Sequence, residues 1–439
     1  MGARETALNV LIACRKEGGW SNGVLKEYTA RDQLDRREAA LAARLCYGVV
    51  QNRITLDFYL QQLLTGRVKD LHPAVRDILH LGLYQLCYMD KIPQSAAVNE
   101  CVLLTKNYCR KQRNAPGFVN AVLRNAARSK DTLQQPDTLE TRYSHPQKLI
   151  NMLRAYVGES RLEPMLASNN TVAPTVVQVN TLRTTKGELM ALLEAEGVTV
   201  TSHSWMEDCL ELAGTGSIEQ LQTFRDGLFY VQDPASRLSV LCAGIVPGET
   251  LEVLDCCAAP GGKSFAAAIA MGGKGNITSC DVHEHKTQLI RNGASRLGFT
   301  NLQAYRQDAT VPNPQWLDKM DLVITDAPCS GYGIIRKKPD IRYKDPDSMQ
   351  QLPALQLEIL KNQANYVKPG GILMYSTCTL VRKENEGVVE KFLKARPDFT
   401  LEPLPVNAPF PKNESGMLTL VPGEYDTDGF FISRLRRSV

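Results

Sequence analysis

The chain has 439 residues, 43% hydrophobic and 22% charged, which is the balance of an ordinary globular protein. That length exceeds one average domain, so two or three are expected. No run reaches the roughly 18 apolar residues of a membrane span. The opening residues, MGARETALNVLIACRKEGG, include acidic Glu5 and no small-residue cleavage signal, which argues against a secretory leader. Twelve cysteines are scattered through apolar surroundings rather than gathered in a short framework, so a reducing, cytoplasmic location is expected. The net charge of +4 is unevenly spread. Residues 1–130 carry 20 Lys/Arg against 11 Asp/Glu, and the remainder carries 31 against 36. Between 101 and 130 stand Lys106, Arg110, Lys111, Arg113, Arg124, Arg128 and Lys130, with no acidic residue. Such a field suits a phosphate backbone. It suits a solvated helical face equally well.

Residues 1–130 read as all helix. Apolar spacing predicts helices over 3–14 and over 37–64. Pro73 and Pro93 stand at early positions of helices over 74–88 and 95–107, and Gly117 precedes one over 118–129. Helices of this length with short joints make a compact bundle. His72 and His80 stand alone, which fits surface or core histidines better than ligands. Residues 131–145 lose periodicity and read as a linker. A helix over 146–163 follows. A small α+β piece comes next: strands at 175–179, at 198–204 or 208–213, and at 228–231, with helices at 185–197 and 217–223. Asp233 caps a further helix that ends near Gly244.

From residue 251 strand and helix alternate, the rhythm of an open parallel sheet. The predicted strands are 251–255, 276–280, 301–305, 321–326, 371–375 and 430–434. Helices are expected at 263–271, 284–297, 346–366 and 383–395. The long excursion over 403–428 permits a returning edge hairpin.

Leu251–Ser264 (LEVLDCCAAPGGKS) is the stretch that points to chemistry. A short strand, a tight glycine turn and a helix start form the cofactor corner of a doubly wound fold. Asp281 follows the second strand and Gln307-Asp308-Ala309 the third, where a carboxylate can meet ribose hydroxyls or a base edge. Each alone is as readily a helix cap. Together, with no Lys/Arg cluster to hold a pyrophosphate, they favour a nucleoside cofactor such as S-adenosyl-L-methionine over NAD or ATP.

The fourth strand ends in DAPCSGYG (326–333) and the fifth in STCT (376–379), so Cys329 and Cys378 point at one crevice. Two thiolates are too few for a structural zinc site, and no metal is expected. Cys256 and Cys257 read as small packing residues. Two thiols beside a methyl donor suit C5 of a pyrimidine. A thiolate adding at C6 makes C5 enamine-like, and the C5 proton must later leave so that the thiolate is expelled. Asp326 could favour the charge developing at N3 and N4 of cytosine, and Lys263 could orient Asp326. The base must leave its stack to enter.

The segments LDCCAAPGGKS, DAPCSGYG and YSTCTL closely resemble the motifs of RNA (cytosine-5)-methyltransferases of the NOL1/NOP2/Sun type. DGFF (428–431) resembles their C-terminal signature. IPQSAAVNEC (92–101) and FVNAVLRN (118–125) resemble NusB-like RNA-binding domains. Nearly the whole chain resembles the bacterial small-subunit ribosomal RNA branch. The fold class implied is multidomain: an all-helical NusB-like bundle (1–130), a linker (131–145), a small α+β RNA-recognition-like module packed on the catalytic domain (146–240), and a C-terminal Rossmann-like α/β methyltransferase domain (241–439).

The resemblance implies Cys378 as nucleophile and Cys329 in release of the enzyme after methyl transfer, with Asp326 and Lys263 completing the catalytic set. It implies a cofactor site at Cys257, Ala258, Ala259, Pro260, Gly261, Gly262 and Lys263, with Asp281, Asp308 and Asp326. Arg336, Lys337 and Lys338 are displaced relative to the family pattern, yet with Arg342 they could still face RNA phosphates, beside the basic residues of 106–128. The implied reaction is methyl transfer from S-adenosyl-L-methionine to C5 of one cytidine in 16S rRNA. The implied partner is 16S rRNA or a small-subunit assembly intermediate, with no membrane and a monomeric chain. Three rivals stand: the same chemistry on tRNA or another rRNA cytidine, a non-catalytic NusB-like RNA-binding factor, and a metal or redox protein using its cysteines.

Overall fold

The computed structural model describes residues 2–17, 21–407 and 409–439. The chain divides into two compact units, one of residues 1–154 with 337–344, the other of 155–336 with 345–439. Among the described residues, no helix is long and apolar enough to cross a membrane.

The first unit is a helical bundle. Its helices are α1 (Ala3–Glu17), α2 (Ser21–Arg31), α3 (Arg36–Gln51), α4 (Arg53–Leu63), α5 (Pro73–Tyr88), α6 (Gln94–Tyr108), α7 (Ala115–Ser129) and α8 (Leu139–Tyr143). Leu8, Leu45, Leu56, Leu60, Ile78 and Leu123 fill its core. The expected single helix over 37–64 is two helices. Asn52 takes its own amide back to the Gly48 carbonyl (2.9 Å) and turns the chain between them. α3 and α5 approach closely because position 48 is glycine: a Cβ there would lie 2.0 Å from the Tyr84 ring. α2 is an addition to the expected helices, and α8 lies within the stretch that reads as linker. His80 is a buried core histidine with a ring nitrogen 2.8 Å from Asp57.

Arg342 belongs to this bundle, which corrects its expected place at RNA phosphates. It is fully buried. Its guanidinium donates to the carbonyls of Gln51 (2.8 Å), Ser144 (3.3 Å) and Tyr143 (3.4 Å). A buried cation is tolerable only when such acceptors replace water. Burial first, and then the charge of Arg342, push the neighbouring His145 well below the usual histidine range.

α9 (Gln147–Val157) runs across the division. The expected helix over 146–163 is broken at Gly158, whose φ of 81° ends one helix before α10 (Glu159–Ser168) begins. Next comes a ferredoxin-like βαββαβ module: β1 (Thr175–Val179), α11 (Lys186–Ala195), β2 (Thr199–Ser202), β3 (Cys209–Ala213), α12 (Gln222–Arg225) and β4 (Phe229–Val231). Its antiparallel sheet has the order β2-β3-β1-β4. Thr185 and Glu188 form a reciprocal capping box that starts α11. Asn180 joins the module to the following domain by donating to the Gly227 and Leu297 carbonyls. Arg296 does the same from the other side, to Phe229 (3.1 Å) and Phe224.

The large domain follows α13 (Pro234–Leu241). Its elements are β5 (Glu252–Asp255), α14 (Gly262–Ala270), β6 (Asn276–Asp281), α15 (Glu284–Leu297), β7 (Leu302–Arg306), β8 (Met320–Asp326), α16 (Leu352–Ala364), β9 (Val367–Thr377), α17 (Glu386–Ala395), β10 (Phe399–Leu401), β11 (Met417–Leu420) and β12 (Phe430–Arg437). The sheet order is β10-β12-β9-β8-β5-β6-β7, with β11 paired to β12. β5 to β9 are parallel, and β12 returns antiparallel against β9 and forms the expected hairpin with β11, but it lies inside the sheet because β10 pairs beyond it and takes the edge. α16 starts at Leu352 rather than near 346. Pro353 lacks the donor an interior helical bond needs, so it fits the first turn.

Candidate active site

Chain order reverses between β5 and β8, and the crevice beyond the carboxyl ends of such strands is where a doubly wound sheet receives its ligand. β5 leads into Cys256–Gly261, a loop held against both neighbours. The Cys256 N–H donates to Ile324 on β8 (3.1 Å) and the Ala258 N–H to Cys280 on β6 (2.8 Å). Gly261 precedes α14 with φ 111°, and a Cβ there would meet the Phe265 ring at 2.5 Å. Only glycine makes this turn without strain.

Asp255 is fully buried beneath the loop. It accepts from Ser264 Oγ (2.8 Å), which in turn accepts from Ser279 Oγ (2.8 Å). Burial pushes its carboxyl from the ordinary 3.8 up to about 7. The folded protein therefore holds a proton that the unfolded chain has lost between those values, and stability falls as pH rises through that window. Asp255→Asn keeps a neutral group there, and the serine hydroxyls can reorient to accept its amide. The loss of melting temperature between pH 5 and pH 8 is expected to shrink in this variant. Identical pH dependence by calorimetry would refute that account.

A cavity of about 240 Å³ opens at the crevice. It is lined by Cys257, Ala258, Ala259, Pro260, Gly262, Lys263, Asp326 and Cys378, and by Asp233, Asp428 and Phe430 among others. The ammonium of Lys263, on the first turn of α14, donates to Asp326 Oδ2 (2.6 Å) and Ser236 Oγ (3.0 Å). Ser376 Oγ holds the other Asp326 oxygen (2.9 Å). Asp326 is thus fixed at the end of β8, with its side chain 30% exposed.

Cys329 and Cys378 lie on the loops beyond β8 and β9, with their sulfurs 3.2 Å apart. All twelve cysteines are free thiols. The hydrogen bond to Cys378, and then burial, push the Cys329 thiol well above the usual range. The two loops are braced from behind. Buried Glu384 accepts from the Ser330 N–H and from Gln356 Nε2, both at 2.9 Å. Asn385 bonds Thr377 Oγ1 and the Thr379 carbonyl.

Other residues from the sequence reading stand apart. Gly261 shapes the loop without lining the cavity. Asp281, at the end of β6, accepts from the His283 N–H (3.0 Å) and lies 3.7 Å from Lys286 Nζ. Asp308 is exposed and accepts from the Thr310 N–H and hydroxyl, bonds that hold its carboxyl below the usual range. Neither lines the cavity. Lys106, Arg110, Lys111, Arg113, Arg124 and Arg128 are exposed on the helical unit, and Lys338 is also exposed. Lys337 is half-buried in that unit. Arg336, half-buried, has its guanidinium 4.0 Å from Asp428. Sequence reading missed Ser236, Gln356, Ser376, Glu384 and Asn385. No spacing signal marks them, because what unites them is a sheet end.

Residues 244–436 match the family described as 16S rRNA methyltransferase RsmB/F, residues 1–128 the NusB family, and 145–219 the RsmF/B ferredoxin-like domain. A Bacillus subtilis protein named probable ribosomal RNA small subunit methyltransferase B is 36% identical, covering 99% of this chain and 98% of that protein. The chain belongs to the ribosomal RNA small subunit methyltransferase B family. A family member from Vibrio cholerae is 34% identical over 93% of this chain and 92% of its own. The crystal structure of PH0851 superposes with a TM-score of 0.81 at 25% identity, covering 100% of this chain and 99% of that one. NSun6 from Pyrococcus horikoshii with SFG shares the fold over 67% of this chain and 98% of its own, at 20% identity and a TM-score of 0.58. As a member of the methyltransferase B family, this protein is an RNA methyltransferase.

Proposed function

We propose that the protein transfers a methyl group from S-adenosyl-L-methionine to C5 of a cytidine in 16S rRNA through a covalent adduct between Cys378 and C6. One observation carries this reading. Cys378 opens into the same cavity as the Lys263–Asp326 pair and the glycine loop, with a second thiol 3.2 Å behind it.

The donor fits the residues present. Gly261 makes the turn, where a Cβ would meet the Phe265 ring, and Gly262 beside it lines the cavity with no side chain between its backbone and a ligand. Asp281 is buried at the next strand end, where a ribose would be held, and Asp308 follows the third. Bound adenosylmethionine supplies an electrophilic methyl group. The chain supplies the rest. Asp326 faces the cytosine N3–N4 edge and favours a proton there, which draws electrons from C6. Cys378 adds at C6 and leaves C5 nucleophilic. Cys329 serves the closing step, in which the C5 proton departs and the Cys378–C6 bond breaks. Lys263 and Ser376 hold Asp326 still throughout, which spares reorganisation at the moment of reaction.

The exposed cations of α6 and α7 and the turn between them would hold RNA phosphates. Neutralising Lys106, Arg110, Lys111 and Arg113 together is expected to weaken RNA binding and to flatten the slope of log K against log salt, by about 0.7–0.9 for each phosphate that no longer meets a cation. An unchanged slope in filter-binding titrations would place the RNA path elsewhere. The substrate itself is tested by base-resolved mapping of 5-methylcytosine in cells lacking the protein. Loss of one 16S rRNA site is expected, whereas loss confined to tRNA would reassign the substrate.

A further inference from the structure

The two loops that carry the site thiols are tied to each other by three hydrogen bonds. β8 and β9 pair in parallel with Asp326 opposite Ser376, so Cys329 and Cys378 lie three and two residues beyond one ladder rung. The Ala327 N–H donates to the Ser376 carbonyl (3.1 Å), and the Gly333 N–H to the Cys378 carbonyl itself (3.0 Å). Ser330 Oγ and Thr379 Oγ1, each next to a cysteine, are 2.7 Å apart. A disulfide has its sulfurs about 2.05 Å apart, so closure asks for an approach of only about 1 Å.

Cys256 and Cys257 have sulfurs 3.9 Å apart but are sequence neighbours, and a bond between them would strain the intervening peptide. Cys46, Cys101, Cys109, Cys209, Cys242 and Cys280 are at most 2% exposed. Cys378 alone of the close pair lines the open cavity, where a small oxidant can arrive. The pair has the layout of an accessible thiol with a resolving partner behind it.

We propose that Cys329 and Cys378 form a reversible oxidation site, closed to a disulfide by hydrogen peroxide and reopened by thiol reductants. The Cys378 thiolate attacks one peroxide oxygen. An S–O bond forms, the O–O bond breaks and hydroxide leaves, which takes up a proton. The Cys329 sulfur then attacks the Cys378 sulfenic sulfur. The S–S bond forms, the S–O bond breaks, and the Cys329 proton leaves with the hydroxide as water. Two thiols lose two electrons and peroxide becomes two waters. Closure stores Cys378 in a recoverable state instead of letting it pass to sulfinic acid. That closure stops methyl transfer rests on the reading of Cys378 as nucleophile. The bond itself does not.

The test treats full-length protein with a small excess of hydrogen peroxide. It reads intact mass, non-reducing peptide maps and methyl transfer before and after dithiothreitol. Expected are a loss of two hydrogens, a Cys329–Cys378 linked peptide, and activity reduced at least about tenfold and then restored by reductant. In Cys329→Ser the link cannot form, and Cys378 is expected to gain two oxygens that dithiothreitol does not remove. Recovery of Cys378 as sulfinic acid in the unaltered protein, or links only among other cysteines, would overturn the proposal. Linkage with activity unchanged would sustain the oxidation site and remove Cys378 as nucleophile.

Discussion

Replacing Cys378 with alanine is expected to lower methyl transfer by at least about 10⁴-fold, the scale seen when a covalent nucleophile is removed. On the proposed route, loss of the sulfur prevents the adduct at C6 and leaves C5 of cytosine a poor nucleophile. Cofactor affinity should change little. Cys378 lies at the end of β9, and the loop of residues 256–261 is held by β6 and β8, through Cys280 and Ile324, rather than by the thiol. Incorporation of labelled methyl groups into RNA measures the first effect, and calorimetric titration with adenosylmethionine the second. Activity within tenfold of the unaltered protein would dismiss the covalent route. Loss of cofactor binding would show instead that the substitution damaged the fold.

Replacing Cys329 with alanine should have the opposite signature. On the proposed route addition at C6 needs only Cys378, whereas release needs the C5 proton to leave. A protein lacking the second thiol is expected to accumulate a protein–RNA species that survives denaturing electrophoresis. It should require both RNA and adenosylmethionine, and disappear in the Cys329→Ala, Cys378→Ala double variant. The neighbouring sulfur and burial hold the Cys329 thiol in its protonated form, which suits a group kept out of the addition step. A single variant that turns over normally without a shifted species would take the release role away from Cys329.

Much of the site is legible without coordinates. LDCCAAPGGKS, DAPCSGYG and YSTCTL are local segments, and a strand followed by small residues and glycine has few ways to fold. The sequence points to Lys263 as a partner that orients Asp326, and the two groups meet at 2.6 Å. The helical character of 1–130 and the alternation after 251 follow from periodicity, which is a property of the chain alone. The breaks at Asn52 and Gly158 escape a sequence reading because one residue's backbone preference interrupts an apolar pattern that itself continues.

Arg342 marks the other boundary. In the sequence it is one more cation in a basic run, and only folding commits its guanidinium to three buried carbonyls. Glu384, Gln356 and Ser376 gain meaning in the same way. They lie 28 to 54 residues from the groups they hold, and no spacing rule connects them. By itself the sequence determined the helical character of 1–130, the alternation of strand and helix after 251 and the family motifs, because these depend on residue identity and short-range order. The tertiary structure decided which charges face water and which are buried, and that the two thiols stand within 3.2 Å. Burial and distance are set by residues remote in sequence that packing brings together.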